Sequence, residues 1–516
     1  MSTPTSVSTQ PSQRGGTTNP GDPARTRWWR PRPVDRTTLG VWVTTRALVL
    51  LLSLYARYAT KSGSSSSWLN LWQHWDWYRY LTIAEYGYTS GKGPSYDENI
   101  TAFLPGYPMA LRLVHFAVRN WAVSGLLLSF VAGGVAVLAL GRLTEFEYDR
   151  RHPDADPETS RRAARIAVLL LVCAPAAIFL AVGYTESLFL AFAVPAWLAA
   201  RRRQWVLSGV LLAFACTIRI NGLFELAGVA VMFLASRPSR RDWVSSPALL
   251  LPIASAGAYA AYLKDITGDW LDWLHAEKRG WSRSFTNPIS SWKASWNNAF
   301  GSGFGGGGLG GGHSGGGGQS STRSGGGGQG GFPGGGSGGP GGGGFGGGSS
   351  TTSGSGTSGT TSGGNGFGGG GQPGGSSSGT GSSSGTGGTR NFGGGTSSAV
   401  SGSGGGGNLA GVGTFDAWEF RLELLAAVVG VATVLWLAWR RRWAELVYVG
   451  ISVFTLVTST YYMSIPREML LWWPLWVGAA IWLAGRRWWF TAATLAVSGS
   501  LMVGVALLYL SGEWAG

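Results

Sequence analysis

"RRRQWVLSGVLLAFACTIRINGLFELAGVAVMFLASRPSRR", residues 201–241, decides the fold. Two apolar runs, 205–218 and 221–236, are joined by the short link "IRIN", and an arginine cluster stands beyond each outer end. Runs of this kind read as membrane-crossing helices. Arginine-rich loops stay on the cytoplasmic side of a bilayer. Both clusters therefore share the cytoplasmic side, and "IRIN" turns on the other.

The same pattern extends outward along the chain. Further apolar segments fall near 39–57, 121–141, 164–183, 187–200, 246–264, 420–439, 443–461, 468–485 and 489–511, which with the first two makes about 11 spans. Several fall short of the usual length of about 20 residues. With the N-terminal arginines in the cytoplasm, the clusters at 141–165, 201–203, 236–241, 440–442 and 486–487 all fall on the cytoplasmic side. The intervening short links "YTES", "IRIN" and "IPRE" carry one arginine or none. A further stretch, "FLPGYPMALRLVHFAV" (103–118), is interrupted by two prolines and Arg112 and reads as a re-entrant or interfacial helix.

Composition supports the bilayer. Of 516 residues, 44% are hydrophobic and only 13% charged, with 27 Trp. Soluble domains carry nearer a quarter charged residues. The net charge of +15 lies in short clusters between apolar runs, so membrane orientation accounts for it without nucleic acid as a partner. The two cysteines, Cys173 and Cys216, sit inside apolar runs and offer no disulfide framework. No metal site is expected, because the five histidines show no close pairing, and no cofactor motif stands out.

The expected organisation has four parts. Residues 1–38 form a disordered basic cytoplasmic tail without the apolar core of a signal peptide. The first part of the membrane domain covers 39–300 and includes a long first exterior loop, 58–120. Residues 301–413 hold 58 of the chain's 86 glycines, with Ser, Thr, Gln and Asn making up most of the rest. Such a segment has too little apolar surface to offset the entropy of ordering, so it reads as a flexible exterior loop, a tolerated insertion. Residues 414–516 complete the membrane domain.

The first exterior loop contains "HWDWYRYLTIAEYGY" (74–88). As a helix, 68–88 would lie in the membrane interface with Asp76, Tyr80 and Ile83 on one face and Gly87 as its C-cap. His74 beside the acid reads as a local hydrogen-bond partner. The same exterior surface collects Glu98, Glu186 in "YTES", Arg219 and Asn221 in "TIRING", and Arg467 in "SIPREMLLWWP".

"HWDWYRYLTIAEYGY" followed by "AFLPGYP" resembles the signature of the PIG-V family, the GPI mannosyltransferase II type and its bacterial relatives, within the GT-C superfamily of membrane glycosyltransferases. "YTESLFLAF" (184–192), "TIRINGL" (217–223), "TGDWLDWLHAEKRGWSR" (267–283) and "SIPREMLLWWPLW" (464–476) follow in the family's order. The resemblance covers about 40–300 and 415–510. It departs at Glu468, where relatives usually carry an aromatic, and in the glycine tract.

The resemblance implies an all-α polytopic membrane protein with a GT-C-like helix bundle. It also implies transfer of a mannosyl unit from a polyprenyl-phosphate sugar donor to an acceptor hydroxyl on the extracytoplasmic face. The acceptor would be a glycan, a glycolipid or a protein. An acidic residue of the first exterior loop acts as base in this superfamily, which here is Asp76. Transfer with inversion needs one base to take the acceptor proton, and a phosphate leaves without a strong acid. Arg219 and Arg467 are then candidates to stabilise the departing phosphate. Glu98 reads as a second acid that orients the acceptor or assists the base. Tyr184 and Glu186 read as lining the sugar pocket, and Trp75, Tyr80 and Asn221 complete the substrate-binding set. The competing readings are a polytopic lipid or sugar transporter or flippase, against which stand the lack of a two-fold internal repeat in the spans and the clustering of the motifs on one face, and a non-catalytic scaffold, which leaves the Trp-Asp helix unexplained.

Overall fold

The computed structural model describes residues 31–59, 67–281, 283–301 and 414–513. The tail expected to be disordered (apart from its last eight residues) and the glycine tract expected to be coil lie outside the described residues. The described part is helical, and its only strand-like pairing is an isolated bridge between Phe285 and Ser459.

In chain order the helices are α1 (Pro33–Ala59), α2 (Asp76–Tyr86), α3 (Gly106–Val118), α4 (Trp121–Arg151), α5 (Pro157–Val172) and α6 (Thr185–Arg201). Then come α7 (Trp205–Ile218), α8 (Asn221–Ala235), α9 (Arg240–Ser245), α10 (Leu251–Thr267), α11 (Asp272–Trp281) and α12 (Pro288–Phe300). The chain closes with α13 (Thr414–Trp439), α14 (Trp443–Val457), α15 (Ile465–Met469), α16 (Trp473–Ala484) and α17 (Trp488–Ser511). Among the described residues, five helical stretches are long and apolar enough to cross a membrane: Pro33–Tyr58, Trp121–Arg151, Arg240–Thr267 (α9 and α10 joined by a 3-10 turn), Ala417–Trp439 and Trp488–Ser511. The chain is an all-α polytopic membrane protein. The other six expected spans fall on shorter helices of 12 to 17 residues, α5 to α8, α14 and α16. At 1.5 Å per residue these reach only about 18–26 Å.

Where helix limits differ from expectation, proline or capping accounts for it. Pro33 takes the first position of α1 and Asp35 its first turn, so that helix starts six residues earlier than expected. The expected span at 164–183 is cut after Val172, because Pro175 disfavours helix in the residue before it; a buried 3-10 turn, Ala177–Leu180, follows. The expected span at 468–485 is two helices, with Pro474 restarting the second. The segment 68–88 is also divided. A 3-10 helix covers Trp68–Trp72, the chain kinks at Trp75, and α2 begins at Asp76.

Helix α6 lies at the centre, with Phe189, Ala193, Trp197 and Ala200 essentially inaccessible. Helix α4 packs along it, and Ser129 Oγ of α4 donates to the Val182 carbonyl at 2.6 Å. Helices α7 and α8 fold back on each other at Gly222, where an added Cβ would stand 2.7 Å from the Cys216 backbone nitrogen. The glycine tract departs after α12 and returns into α13, and these two helices pack together: Arg421 Nε of α13 donates to the Ala299 carbonyl of α12 at 3.2 Å.

Candidate active site

Four local devices bring charged side chains to one cleft. The first is the start of α2. Trp75 holds φ at +45°, a conformation that is costly for a residue with a Cβ and tends to occur where function demands it. This kink sets Asp76 in the first turn, where the helix dipole favours a carboxylate. Trp77 anchors the turn by filling a slot between Gly125 of α4 and Gly183. A Cβ at position 125 would stand 2.5 Å from the Trp77 ring.

The second device is the start of α6, which puts Thr185 and Glu186 in its first turn. The third is the α7–α8 link, where Arg219 is in extended conformation between two helices. The fourth is α15. Ser464 precedes it with φ +64°, and the Glu423 carboxylate of α13 accepts the backbone N–H groups of Ser464 and Ile465 at 2.7 and 2.8 Å. That grip fixes the short helix that carries Arg467 and Glu468.

The side chains form an alternating chain of charges. Arg467 Nη1 donates to Asp76 Oδ2 at 2.7 Å, and its Nε pairs with Glu186. Arg219 Nη1 donates to the same Glu186 carboxylate at 3.1 Å and to Thr185 Oγ1 at 2.6 Å. Arg219 also pairs with Glu468, which accepts from Asn221 Nδ2 at 3.0 Å. The order is thus Asp76, Arg467, Glu186, Arg219, Glu468. Glu186 is wholly buried, whereas the Asp76 side chain is 17% exposed. Buried charges persist only when paired and hydrogen-bonded, and here both guanidiniums share the central carboxylate. Beneath them lie the rings of Phe179 and Tyr184, 5.0 and 4.7 Å from the Arg467 guanidinium carbon, within cation–π range.

The cleft above this chain holds about 180 Å³ and opens between Tyr80, Phe103, Trp281 and Met463. Glu277 and Arg283 stand on its far wall, 3.7 Å apart. Burial pushes the Glu277 carboxyl above the ordinary glutamate value, with Arg283 opposing and Asp76 adding to the rise.

The structure brings Asp76, Tyr80, Arg219, Asn221 and Arg467 to the cleft wall, with Glu186 joining the two arginines below. Tyr184 does not itself line the cleft; it is buried against Arg467, its hydroxyl donating to the His74 carbonyl at 2.7 Å. Two residues are placed elsewhere. Trp75 turns its ring to His74 and Tyr509, behind the cleft. Glu98 is exposed on the loop after α2, held outward because Asp97 pairs with Arg79 and the Glu98 carbonyl accepts from Arg279. His74 is not the partner of Asp76, a correction to the sequence reading: its ring packs on Tyr509, and its Nε2 has no hydrogen-bond partner among the described residues. Sequence reasoning did not single out Thr185, Glu277, Arg283, Ser464 or Glu423. The first four lie inside or beside quoted motifs, but Glu423 sits in an apolar helix and gave no local signal.

The cleft can hold an anionic group on Arg219 and Arg467 and a hydroxyl against Asp76. Among known proteins, the mannosyltransferase (PIG-V) family matches residues 44–236. The GPI alpha-1,6-mannosyltransferase 2 of Mus musculus is 35% identical over 168 residues, covering 30% of this chain and 29% of that protein. The Homo sapiens protein of the same name is 36% identical over 170 residues, covering 30% of each. The GPI mannosyltransferase 2 of Yarrowia lipolytica is 30% identical over 142 residues, covering 27% of this chain and 36% of that protein. The chain thus spans about a third of the length of these curated relatives. No solved structure matches it significantly. The matched segment includes α2, the start of α6 and the α7–α8 link, but not α15.

Proposed function

We propose that this chain, which matches the mannosyltransferase (PIG-V) family over residues 44–236, is a membrane glycosyltransferase. It moves a mannosyl unit from a polyprenyl-phosphate donor to an acceptor hydroxyl on the extracytoplasmic face, and Asp76 is the general base. The observation that carries this reading is the Asp76–Arg467 pair at the open edge of the charge chain. One member suits a hydroxyl and the other a phosphate, and they are adjacent.

In the proposed step the acceptor oxygen attacks the anomeric carbon while its proton passes to Asp76. The bond from that carbon to the phosphate oxygen breaks, and the electron pair goes to the phosphate. Arg467 and Arg219 receive that charge through a planar fork of donors. Their carboxylate partners hold them ready, so donor binding is an exchange of one anion for another. Arg219 Nε, buried without a hydrogen-bond partner among the described residues, is a donor that such an exchange would satisfy.

A lipid-linked donor is supported by a separate apolar groove that lies next to the cleft along α2. Asp76 and Tyr80 of α2 face the cleft, and Ile83, Ala84 and Gly87 line the groove, so one helical stripe serves both. The groove runs on over Pro108 and Met109 of α3 and Tyr259 and Tyr262 of α10. The extracytoplasmic side is supported by the arginine clusters, which lie at the opposite ends of α6, α7 and α8 from the cleft. The division into a first membrane part with catalytic loop 58–120 and a last part from 414 belongs to the same proposal.

The test is Asp76→Asn, assayed in membranes for mannosyl transfer from polyprenyl-phosphate mannose. Asparagine keeps a hydrogen bond to Arg467 but takes no proton. A loss of at least about 10²-fold in rate is expected, at unchanged protein level. Retained transfer rules out the base assignment.

A further inference from the structure

At the far ends of the helices that carry the cleft lies a second, larger cavity. Helix α6 begins at Glu186 and ends at Arg201, α7 begins at Trp205, and α8 ends beside Ser236, so the cleft and this cavity are about 20–25 Å apart along the same helices. Its walls carry Arg150 and Arg151 from the end of α4, and Arg201 and Arg203 from the α6–α7 link. The α13–α14 link supplies Arg440, Arg441 and Arg442.

Three carboxylates meet these seven guanidiniums. Glu147, fully buried, is shared by Arg150, Arg151, Arg201 and Arg442 at 2.8–3.1 Å. Glu445 pairs with Arg201 and Arg442, and Asp242 with Arg203. Four positive charges are left over, and Arg440 and Arg441 have no carboxylate partner among the described residues. Positive-inside bias explains arginines in these links. It does not explain why seven of them converge on one cavity.

The arginines are also held in place. Arg203 and Arg441 both take left-handed backbone, φ +58° and +52°, at the helix C-terminal position where glycine is usual. In each case the preceding helix is closed by N–H groups bonded back to its last turn: Arg203 to Ala200, Gln204 to Ala199, Arg441 to Ala438 and Arg442 to Leu437. The remaining wall is apolar and aromatic, with Val231 and Met232 of α8 and the indoles of Trp205 and Trp436. Trp439 and Trp443 border it and are largely exposed, as expected of rings at the water–lipid boundary.

We propose that this cavity binds the headgroup phosphate of an anionic phospholipid. Excess guanidinium charge recognises the phosphate, and the aromatic and aliphatic wall accommodates the glycerol and the start of the acyl chains. A free anion would use the arginines and leave the apolar wall unused.

The test uses purified full-length protein in neutral detergent, titrated with cardiolipin, phosphatidylglycerol or phosphatidylcholine and followed by native mass spectrometry. Cardiolipin and phosphatidylglycerol should be retained over phosphatidylcholine. Arg440→Gln with Arg441→Gln should weaken the anionic lipids about tenfold or more and leave phosphatidylcholine unchanged, since each basic residue near a headgroup contributes severalfold. These two substitutions break no ion pair in the structure. Should that variant fail to fold, the single Arg440→Gln should weaken anionic lipid severalfold, and Arg440→Lys should restore it. Equal retention of all three lipids by the unaltered protein overturns the proposal, as does unchanged anionic binding in a folded Gln variant. Displacement of the lipid by millimolar inorganic phosphate, with matching thermal protection, would assign the cavity to a free anion and overturn it too.

Discussion

Arg467 Nη1 lies 2.7 Å from Asp76 Oδ2 across 391 positions of sequence. The pair joins the first exterior segment to α15, and Glu186 ties the same guanidinium to the centre of the bundle. Three elements far apart in the chain must therefore be assembled before the proposed base has its neighbour.

Arg467→Lys tests the fork. An ammonium keeps the charge but cannot hold Asp76 and Glu186 in one plane. Expected is a fall in kcat of about 10²–10³-fold, the range for loss of one well-placed donor to developing charge. Arg467→Ala should in addition lower stability by about 3–5 kcal/mol, because Glu186 keeps its burial and loses a partner. Transfer assays and thermal unfolding in detergent separate the two effects.

Glu423 acts through α15 and touches no reacting group in the proposed step. Glutamine at 423 can accept from only one of the two N–H groups and turns an amide donor toward the other. Expected is about 2 kcal/mol of lost stability and a kcat reduced about tenfold with little change in donor KM. An unchanged kcat would show that α15 is fixed by other contacts.

Glu277 gives the cleft a pH dependence. Its carboxyl titrates above the ordinary glutamate value, so it stays neutral to a higher pH than an exposed glutamate and then adds a negative charge opposite the arginines. The donor phosphate should bind less well once that charge appears, so donor KM should rise as pH climbs through the raised value. Glu277→Gln should remove that rise and leave KM flat. The linked stability term has the matching sign: it is present in full below the ordinary glutamate value and is lost as pH rises through the raised one.

Gly125→Ala should act on Asp76 without touching it. The added methyl meets the Trp77 ring and must push the start of α2 aside. Overpacking of this kind costs about 1–3 kcal/mol, and a displacement of about 1 Å at a reacting group costs up to about 10²-fold in rate. Trp77→Phe in the same chain should recover part of the activity. If the double variant is no better than Gly125→Ala alone, the glycine–indole slot is not what aligns the helix.

Much of the bundle was legible because membrane helices announce themselves locally. The run 205–218 coincides with α7, and 221–236 differs from α8 by one residue. Breaks were less legible where buried segments stay apolar: nothing in hydropathy separates α15 from α16, and the proline and cap that do so are local geometry. At the cleft, residue types were readable but partners were not. By residue type Arg219 and Arg467 suit phosphate and Glu186 a sugar pocket, whereas folding joins all three in one chain of charge. Glu468, noted as a departure from the family pattern, extends that chain to a third carboxylate. Trp77, within the segment expected to lie in the interface, is instead a buried anchor.

The contact between Ala299 and Arg421 means that the chain leaves the bundle and re-enters it almost at the same doorstep. The start of α13 lies about two helical turns, roughly 10 Å, from the residue that touches the end of α12. A chain shortened between residues 306 and 407 is therefore expected to keep the α12–α13 contact, which its thermal unfolding beside the full chain would check.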